Sequence, residues 1–564
     1  MSKVVENTPA HHNRRNLKSI GFEVLVLLAS AFIYSLAFPG FVTAKGLGFI
    51  AFFALIPVLY VIKRTTWPWV WAHGFFFGFM FYTFFNYWLT TFHPLAIYIV
   101  TIIKGGEMIA LFLALKAATV LFKKRAFYVE ALIWVSYAYL SESWFAGYPY
   151  GTICYALYRY LPLIQIAEYT GIWFIIFMMI LPQAFIANYL YDHRLSLKGC
   201  FKSFKWDIIG YAVVFLIWLV FGCFQLSYWS KAEPDKTWRV ATVQHNHDSW
   251  KGGLQTYKIN FNNLRRLTLE ALQEDPDAVI WSETAFVPSV AWHTNFHYET
   301  TDKVYGNEET SALVEEFIKF GEELPVPLIT GNPEGVLKDM SKGPILEDGE
   351  FNRTYYNGVM LFDHGEIAGQ YRKQHLVPFT EHFPYEKQLP WLYNILLAND
   401  YNWWEKGTES VVFKTDEGVT FSTPICFEDV FGYLSANFVK NGANVIANMT
   451  NDNWSGAASA ELQHCAIAVF RSVENRKSTI RGTNSGITCL IPPTGKIVDP
   501  MEPFKMGYHI YDVPVYETQT YGLTFFTQHI DLFATLAIYS SIALLCLGFV
   551  TTLIKRFRGN KNAR

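Results

Sequence analysis

Apolar residues in this chain are concentrated before about residue 230 and after about residue 530, while the middle alternates short apolar runs with polar stretches. A helix that crosses a bilayer needs roughly 20 predominantly apolar residues. The pattern predicts eight such spans, at about residues 20–38, 46–62, 70–91, 95–122, 127–142, 163–190, 208–229 and 531–554. The first span is not interpreted as a removable signal peptide, because no small-residue cleavage site is clear and further spans follow at once.

Lys and Arg are distributed unevenly over the loops that separate these spans. The N-terminal tail and the stretches 63–64, 123–125 and 194–205 are rich in them, whereas the loops between carry one or none. Positively charged loops remain in the cytoplasm. The alternation therefore predicts seven spans that start from a cytoplasmic N-terminus, a domain outside the cytoplasm, and an eighth span that returns the basic C-terminal tail to the cytoplasm.

Three charged residues, Lys104, Glu107 and Lys116, fall inside the fourth predicted span. A charge inside a bilayer is costly, so these side chains are expected to face the interior of the helix bundle or an interface. Lys104 and Glu107 have the spacing of a pair on one helix face, which is the simpler interpretation. A contact with a lipid headgroup is the functional alternative.

The middle of the chain, at about residues 236–515, alternates strand-like and helical segments and therefore predicts a layered α/β domain. The predicted strands are Trp238–Gln244, Asp277–Ser282, Pro327–Gly331, Tyr355–Phe362, Val419–Cys426, Ala443–Met449, Thr479–Leu490 and Lys496–Val498. The predicted helices are Tyr257–Gln273, Ser311–Phe320, a short helix that ends near Asn441, and Ser459–Arg476. We expect three parts: a membrane domain at 1–230, a catalytic domain at 231–520, and a last span with a basic tail at 521–564.

Composition excludes several classes of protein. The chain has 564 residues, enough for two or three domains, and its net charge of −2 gives no field that favours nucleic acid. Its seven cysteines are odd in number and include no C-x-x-C pair, so they predict neither a disulfide framework nor a structural metal site. His245 and His247 form an H-x-H sequence, which alone is a weak metal signal. No cofactor is expected.

Three residues that could act together in acyl transfer come directly after strand-like segments: Glu283 after 278–282, Lys373 after 369–372 and Cys426 after 421–425. A cysteine nucleophile reacts as the thiolate, so it needs a base or a cation nearby. A carboxylate can take the thiol proton, and an ammonium can stabilise the oxyanion of a tetrahedral intermediate. Each residue also has a simpler interpretation, because a Glu after a strand is often a solvated cap and a Cys in an apolar strand is often core.

The sequences around these residues resemble the signature blocks of the nitrilase, or carbon–nitrogen hydrolase, superfamily. The three blocks are Ser282-Glu283-Thr284-Ala285, Tyr371-Arg372-Lys373-Gln374-His375-Leu376-Val377-Pro378-Phe379 and Ile425-Cys426-Phe427-Glu428. The resemblance implies an αββα sandwich with a Glu-Lys-Cys triad. In such a triad Glu283 would be the general base, Lys373 would stabilise the oxyanion and Cys426 would form a thioester.

Membrane spans on both sides of a nitrilase-like domain make the whole chain similar to the apolipoprotein N-acyltransferase family. The supporting strings are Pro378-Phe379-Thr380-Glu381, Thr450-Asn451-Asp452-Asn453-Trp454, Gln463-His464 with Arg471, Glu474 and Arg476, and Asn484-Ser485-Gly486. The chain departs from the usual pattern at Ser282, where Pro is usual, and at Phe427, where Tyr is usual. The resemblance also implies supporting roles for Glu381 and Glu428, although Glu381 could sit on the rim and Glu428 could cap a helix start. We interpret Arg471 and Glu474 as an intrahelical pair.

The resemblance implies an enzyme of the bacterial inner membrane whose catalytic domain lies on the periplasmic side. Its partners would be a phospholipid acyl donor, a diacylglyceryl apolipoprotein as acceptor and the lipid bilayer, and we expect a monomer. The reaction would be the last step of bacterial lipoprotein maturation, by a ping-pong route through a Cys thioester. Two alternatives stay open: a membrane-tethered amidase or nitrilase that gives the thioester to water, and a binding protein whose triad is inactive.

Overall fold

The computed structural model describes residues 17–92, 95–144, 147–192, 196–249, 251–296, 308–398 and 403–561. Most of the N-terminal tail, whose Lys and Arg residues entered the predicted topology, lies outside these ranges. Helices of the N-terminal part are α1 Leu17–Ser35, α2 Ile56–Arg64, α3 Trp67–Phe85, α4 Leu89–Phe92, α5 Ala96–Phe122, α6 Ala126–Ser143, α7 Leu161–Ile164, α8 Ala167–Thr170, α9 Trp173–Tyr191 and α10 Leu197–Trp229. Later helices are α11 Gly253–Ala271, α12 Val290–Asn295, α13 Glu308–Glu322, α14 Pro390–Leu397, α15 Gly432–Lys440, α16 Ala458–Asn475, α17 Thr518–Tyr521, α18 Phe525–Gln528 and α19 Leu532–Lys561.

Five helical segments of the described chain are long and apolar enough to cross a membrane: Leu17–Ser35, Ala96–Ser143, Trp173–Tyr191, Leu197–Trp229 and Leu532–Arg558. The segment Ala96–Ser143 contains two helices, α5 and α6. These segments therefore fall on six of the eight predicted spans. Helix α3 lies in the region of the third predicted span, although it is not among the five segments. The predicted count of eight spans stays a prediction.

The second predicted span, 46–62, is not one continuous helix. A 3₁₀ turn at Gly48–Phe52 precedes α2, which has 9 residues. Gly48 packs against the connection after α6, and a Cβ at this position would lie 2.1 Å from the carbonyl oxygen of Ala156. The glycine permits this close approach, and the chain bends here instead of continuing a helix.

Two charged residues of α5, Lys104 and Glu107, are paired inside the bundle, and the third, Lys116, donates to the carbonyls of Ile62 and Lys63 at 3.1 and 2.9 Å. The Nζ atom of Lys104 donates to Oε2 of Glu107 at 2.6 Å, to Oγ of Ser141 at 2.5 Å and to the carbonyl of Tyr148 at 3.2 Å. An ammonium has three N–H donors, so these contacts use all of them. The geometry therefore favours the interpretation of Lys104 and Glu107 as a pair over a contact between Lys104 and a lipid headgroup.

Two β-sheets form the centre of the middle part. Its strands are β1 Lys236–Gln244, β2 Ala278–Ile280, β3 Leu328–Gly331, β4 Glu334–Leu337, β5 Arg353–Tyr356, β6 Gly358–Asp363, β7 Glu366–Arg372, β8 Phe413–Lys414, β9 Thr420–Ser422, β10 Val445–Thr450, β11 Ser478–Thr483, β12 Cys489–Ile491 and β13 Gly507–Val515. The first sheet has the order β13-β1-β2-β3-β6-β7, and the second has the order β12-β11-β10-β9-β8. Strands β1, β2 and β3 are parallel neighbours, and so are β9, β10 and β11.

The two sheets pack face to face with helices on the outside, which confirms the predicted αββα sandwich. Between the sheets, the ring centroids of Trp238 on β1 and Phe421 on β9 lie 5.0 Å apart. On the outer face of the first sheet, Phe261 of α11 and Phe317 of α13 bury their rings beside Trp281. Parallel strands that are covered on both faces are typically apolar runs, and β2, with Ala278, Val279 and Ile280, follows this pattern.

Several predicted strand boundaries are wrong. The predicted strand Tyr355–Phe362 is broken at Asn357 into β5 and β6, and the predicted strand Thr479–Leu490 is two strands, β11 and β12. The predicted strand Lys496–Val498 is replaced by an isolated bridge between Val498 and Leu490. Strand β13, which pairs antiparallel with β1 over its whole length, was not predicted.

Helix α16 joins the sandwich to the helix bundle. The side chain of Gln463 donates to the carbonyls of Pro39 and Phe85, at 2.7 and 3.2 Å, and accepts from the indole of Trp88 at 3.0 Å. Just after the helix, the guanidinium of Arg476 donates to Glu168 at 2.7 Å. These buried polar contacts hold the α16 side of the sandwich against the bundle.

Candidate active site

Glu283, Lys373 and Cys426 meet at one edge of the sandwich. Lys373 follows β7 directly, while Glu283 and Cys426 follow β2 and β9 after short turns. The Nζ atom of Lys373 lies 3.3 Å from Oε1 of Glu283. The thiol of Cys426 lies within electrostatic reach of both groups. The structure therefore brings the three residues predicted from the sequence into one cluster.

Glu283 is held in a turn that packs against β3. A Cβ on Gly331 would lie 2.6 Å from Cα of Glu283 and 2.3 Å from the backbone nitrogen of Thr284, so this approach requires glycine. The Oε1 atom of Glu283 accepts a hydrogen bond from the side-chain amide of Asn357 at 2.8 Å. Its Oε2 atom accepts one from the backbone N–H of Asn451 at 2.9 Å. These donors fix the orientation of the carboxylate.

Lys373 is fully buried between two carboxylates. Its Nζ atom donates to Oε1 of Glu381 at 2.8 Å, and the other oxygen of Glu381 accepts from the backbone N–H of Val377 at 2.8 Å. The amide of Asn357 also donates to Glu381, at 3.2 Å. Burial alone would lower the pKa of Lys373, but the charges of Glu283 and Glu381 raise it above its usual value. The ammonium is therefore a permanent cation beside the thiol.

Cys426 begins a 3₁₀ turn, Cys426–Val430, that follows β9 instead of ending the strand as predicted. Its φ of 49° lies in the left-handed region, a costly conformation for a non-glycine residue that recurs at functional sites. Burial raises the pKa of the thiol well above its usual value; the charge of Glu283 adds to the rise and Lys373 opposes it. At neutral pH the thiol is therefore protonated, and its reaction as a nucleophile needs a base.

Glu428 is a buried hub of hydrogen bonds. Its Oε1 atom accepts from the backbone N–H groups of Gln374 at 2.6 Å and His375 at 2.9 Å. Its Oε2 atom accepts from the backbone N–H of Ile425 at 2.7 Å, and the hydroxyl of Tyr371 donates to the same carboxylate at 2.8 Å. Burial raises its pKa to about 7, and the hydrogen bond from Ile425 opposes the rise. Glu428 therefore joins the turn that carries the thiol to the segment that carries the lysine.

A second buried charge cluster lies behind the 3₁₀ turn Cys426–Val430, which carries the candidate nucleophile and is termed the nucleophile turn. His464 of α16 contacts Asp429 through Nε2 at 2.7 Å and Asp452 through Nδ1 at 3.2 Å. Arg481 of β11 forms an ion pair with Asp429 as well. Burial alone would lower the pKa of His464, but the two aspartates raise it to about 10. The imidazole is therefore a cation at neutral pH and binds the 3₁₀ turn to the loop after β10.

Arg471, Glu474 and Trp454, which were also singled out in the sequence, lie around the cluster and at its boundary with the bundle. Arg471 and Glu474 form the predicted pair on α16, with 2.8 Å between Nε and Oε2. Arg471 also donates to the carbonyl of Val430 at 2.7 Å, so it holds the end of the nucleophile turn. The ring of Trp454 lies 5.5 Å from that of Trp88, at the boundary between the sandwich and the bundle.

Asn357 and Tyr371 contact the cluster, although no role was predicted for them. Asn357 fell inside a predicted strand, and its amide reaches both carboxylates because the strand breaks there. An Asn in a strand-like run is a weak signal of such a break, since Asn is depleted in strands. Within the part of the chain that the structure describes, no group of three His, Cys, Asp or Glu side chains is arranged to hold a metal ion.

Comparisons with known families match both parts of the chain. A family model described as Carbon-nitrogen hydrolase matches residues 239–522, and one described as Apolipoprotein N-acyltransferase N-terminal domain matches residues 30–185. The first match agrees with the sandwich and confirms a nitrilase-like fold. Among solved structures, an amidase from a Nesterenkonia species is 15% identical, covering 50% of this chain and 92% of its own, with a TM-score of 0.33.

Relatives from two Treponema species match almost the whole chain. Apolipoprotein N-acyltransferase 1 of Treponema denticola is 36% identical over 550 residues, which cover 96% of this chain and 99% of the relative. The protein of the same name from Treponema pallidum is 32% identical over 556 residues, covering 95% of this chain and 97% of the relative. The chain belongs to the apolipoprotein N-acyltransferase family. With the apolar helices, this supports a membrane acyltransferase with lipid and lipoprotein substrates.

Proposed function

We propose that this protein transfers an acyl chain from a phospholipid to the α-amine of an N-terminal diacylglyceryl-cysteine, through a thioester on Cys426. The observation that carries the proposal is the buried contact of 3.3 Å between Lys373 and Glu283 beside the half-buried thiol. A base, a fixed cation and a nucleophile are the groups that acyl transfer through a thioester needs.

In the first half-reaction, Glu283 accepts the thiol proton and Sγ of Cys426 attacks the carbonyl carbon of the lipid ester. The oxyanion of the tetrahedral intermediate faces the ammonium of Lys373. The ester C–O bond then breaks, and Glu283 returns the proton to the alkoxide, which leaves as a lysophospholipid. Because the thiol pKa is raised, this proton transfer is an essential step and not a preliminary ionisation.

In the second half-reaction, the α-amine of the lipoprotein attacks the thioester carbon. Glu283 accepts a proton from the amine and passes it to the departing thiolate, which restores the enzyme. Glu381 and Glu428 are positioning residues in this scheme. Glu381 holds Lys373, and Glu428 holds the nucleophile turn against the lysine segment.

The membrane arrangement that we propose follows from the loop charges. Seven spans within residues 1–230 start from a cytoplasmic N-terminus, the catalytic domain at 231–520 lies on the periplasmic side of a bacterial inner membrane, and an eighth span within 521–564 returns to the cytoplasm. In this arrangement both lipid substrates reach the site laterally from the bilayer. We propose a monomer, because one chain supplies the complete cluster.

The alternative reaction is hydrolysis of the thioester. The match to the Carbon-nitrogen hydrolase family model is the observation that favours it. Both reactions share the first half-reaction and differ in what accepts the acyl chain. The purified protein is incubated with a phospholipid whose acyl chain is labelled, with a diacylated lipopeptide or with its N-acetylated form as a control. We expect label on the free-amine lipopeptide and none on the N-acetylated form. Steady release of free fatty acid, unaffected by the lipopeptide, would establish the hydrolase instead.

A further inference from the structure

Tyr150 places a side chain of the helix bundle directly beside the nucleophile turn. It lies in the connection after α6 and is 7% exposed. Its ring is nearly parallel to that of Phe427, with 6.2 Å between centroids and 8° between planes. It also lies 6.2 Å from the imidazole of His464. Phe427 is the neighbour of Cys426 in the chain, so Tyr150 forms a wall of the same site.

The backbone around Tyr150 is fixed by hydrogen bonds from the bundle. The hydroxyl of Tyr82 donates to the carbonyl of Tyr150 at 3.2 Å, and the hydroxyl of Tyr34 donates to the carbonyl of Gly151 at 3.0 Å. The ammonium of Lys104 donates to the preceding carbonyl of Tyr148 at 3.2 Å. Buried side chains of three helices therefore fix the backbone that carries the ring. Lys104, which is paired with Glu107 on α5, is one of them.

The hydroxyl of Tyr150 makes no hydrogen bond to any residue that the structure describes, although the side chain is almost fully buried. The hydroxyl oxygen is not one of the fully buried polar atoms of the described chain, so a ligand can reach it although the ring is enclosed. Burial raises its pKa, and the nearby Tyr148, Asp452, Asp429 and Cys426 add to the rise. At neutral pH the hydroxyl is therefore protonated, and it can donate a hydrogen bond to a ligand close to Cys426.

We infer that the Tyr150 hydroxyl is a substrate-binding group that donates a hydrogen bond to an ester oxygen of the lipid donor at Cys426. The inference rests on the proposed function and adds a residue of the bundle to the site. A carboxylic ester offers two oxygen acceptors and no donor, which matches a donor such as a buried phenol. Both the sandwich and the bundle then contribute side chains to the active site.

The test compares Tyr150→Phe with Tyr158→Phe in the full-length purified protein. Tyr158 lies in the same connection, but its hydroxyl donates to the carbonyl of Lys45 at 3.0 Å. The rate of acyl-enzyme formation is measured against the concentration of labelled phosphatidylethanolamine. Loss of one neutral hydrogen bond to substrate is expected to lower the second-order rate constant about 3- to 10-fold in Tyr150→Phe. Tyr158→Phe is expected to remain within about twofold of wild type.

Alkylation of Cys426 by iodoacetamide supplies a readout that does not depend on lipid binding. We expect Tyr150→Phe to be alkylated at the wild-type rate, because the hydroxyl acts on the ester and not on the thiol. A wild-type rate of acyl-enzyme formation in Tyr150→Phe would overturn the inference. Slower alkylation in Tyr150→Phe would also overturn it, because the hydroxyl would then act on the thiol. An equal loss of rate in Tyr158→Phe would overturn it as well, because the effect would then come from packing. Absence of any acyl-enzyme in the wild-type protein would instead overturn the proposed function.

Discussion

The Nζ atom of Lys373 and the Oε1 atom of Glu381 lie 2.8 Å apart, closer than the 3.3 Å between Lys373 and Glu283. Glu381 therefore provides the tighter ion pair of the two. This leaves Glu283, which is held by two further hydrogen bonds, available to accept the thiol proton. A cation with two carboxylate partners stays fixed while one of them changes its protonation state.

Removal of the ammonium tests its role. We expect Lys373→Ala to slow thioester formation about 100- to 1000-fold, because the oxyanion loses its partner. The control is Arg372→Ala, since Arg372 lies next in the chain but pairs with Glu334 at 2.7 Å. Single-turnover kinetics with labelled phospholipid measure both. Near-normal acylation in Lys373→Ala, together with a loss in Arg372→Ala, would transfer the role to Arg372.

Glu428→Gln tests the hydrogen-bond hub. The amide keeps the size of the side chain but turns an N–H₂ group toward backbone N–H donors. Each buried donor left without an acceptor costs about 1–3 kcal/mol, so we expect a lower melting temperature and thioester formation at least about tenfold slower. The exposed Glu417→Gln is the control. Wild-type melting temperature and rate in Glu428→Gln would show that the hub is dispensable.

Much of the catalytic cluster could be predicted from the sequence. Glu283, Lys373 and Cys426 each come after a strand-like segment, and their neighbours carry the superfamily pattern. The position of Glu428 in the chain, two residues after the cysteine, was visible as well. Its main partners were not, because the N–H groups of Gln374 and His375 come from a segment that only the packing of the two sheets brings close.

Other features depend on tertiary contacts that leave little trace in local patterns. Asn357 appeared as a strand residue because its neighbours are strand formers, and only the contact with Glu283 and Glu381 explains the break. The second predicted span is interrupted near Gly48, where close packing on Ala156 overrides the apolar pattern. Tyr150 is separated from Cys426 by more than half of the catalytic domain and the end of the bundle, so no spacing rule connects them.

The charge on His464 predicts a pH dependence of stability. Its pKa is raised to about 10 in the folded protein, against about 6.5 for an unfolded histidine. The stabilisation by its ion pairs is therefore fully present below about pH 6.5 and is lost as the pH rises through about 10. We expect the melting temperature of wild type to fall over this range by more than that of His464→Asn.

The control for this pH series is His364→Asn, because His364 is 75% exposed on a hairpin. This variant should follow the wild-type curve at every pH. Thermal unfolding of the detergent-solubilised proteins, monitored by intrinsic fluorescence between pH 6 and 10, gives the three curves. Parallel curves for wild type and His464→Asn would contradict a charged imidazole in the folded state.

The predicted topology has a direct test at residue 345, which lies in the catalytic domain and is 41% exposed. A cysteine is introduced as Ile345→Cys in a background without the exposed Cys223 and Cys546 and without the half-buried Cys426. We expect a membrane-impermeant maleimide to label it in cells whose inner membrane is intact. Labelling that appears only after lysis would place the catalytic domain in the cytoplasm and reverse the topology.

The proposed thioester on Cys426 can be observed directly. The purified protein is incubated with a phospholipid of defined acyl chain and no amine, then digested and analysed by mass spectrometry. We expect an acyl adduct on the peptide that contains Cys426, absent in Cys426→Ala and retained in Cys465→Ala and Cys489→Ala. We also expect a diacylated lipopeptide with a free α-amine to remove the adduct. An adduct on another residue, or an unchanged adduct in Cys426→Ala, would rule out Cys426 as the carrier of the acyl chain.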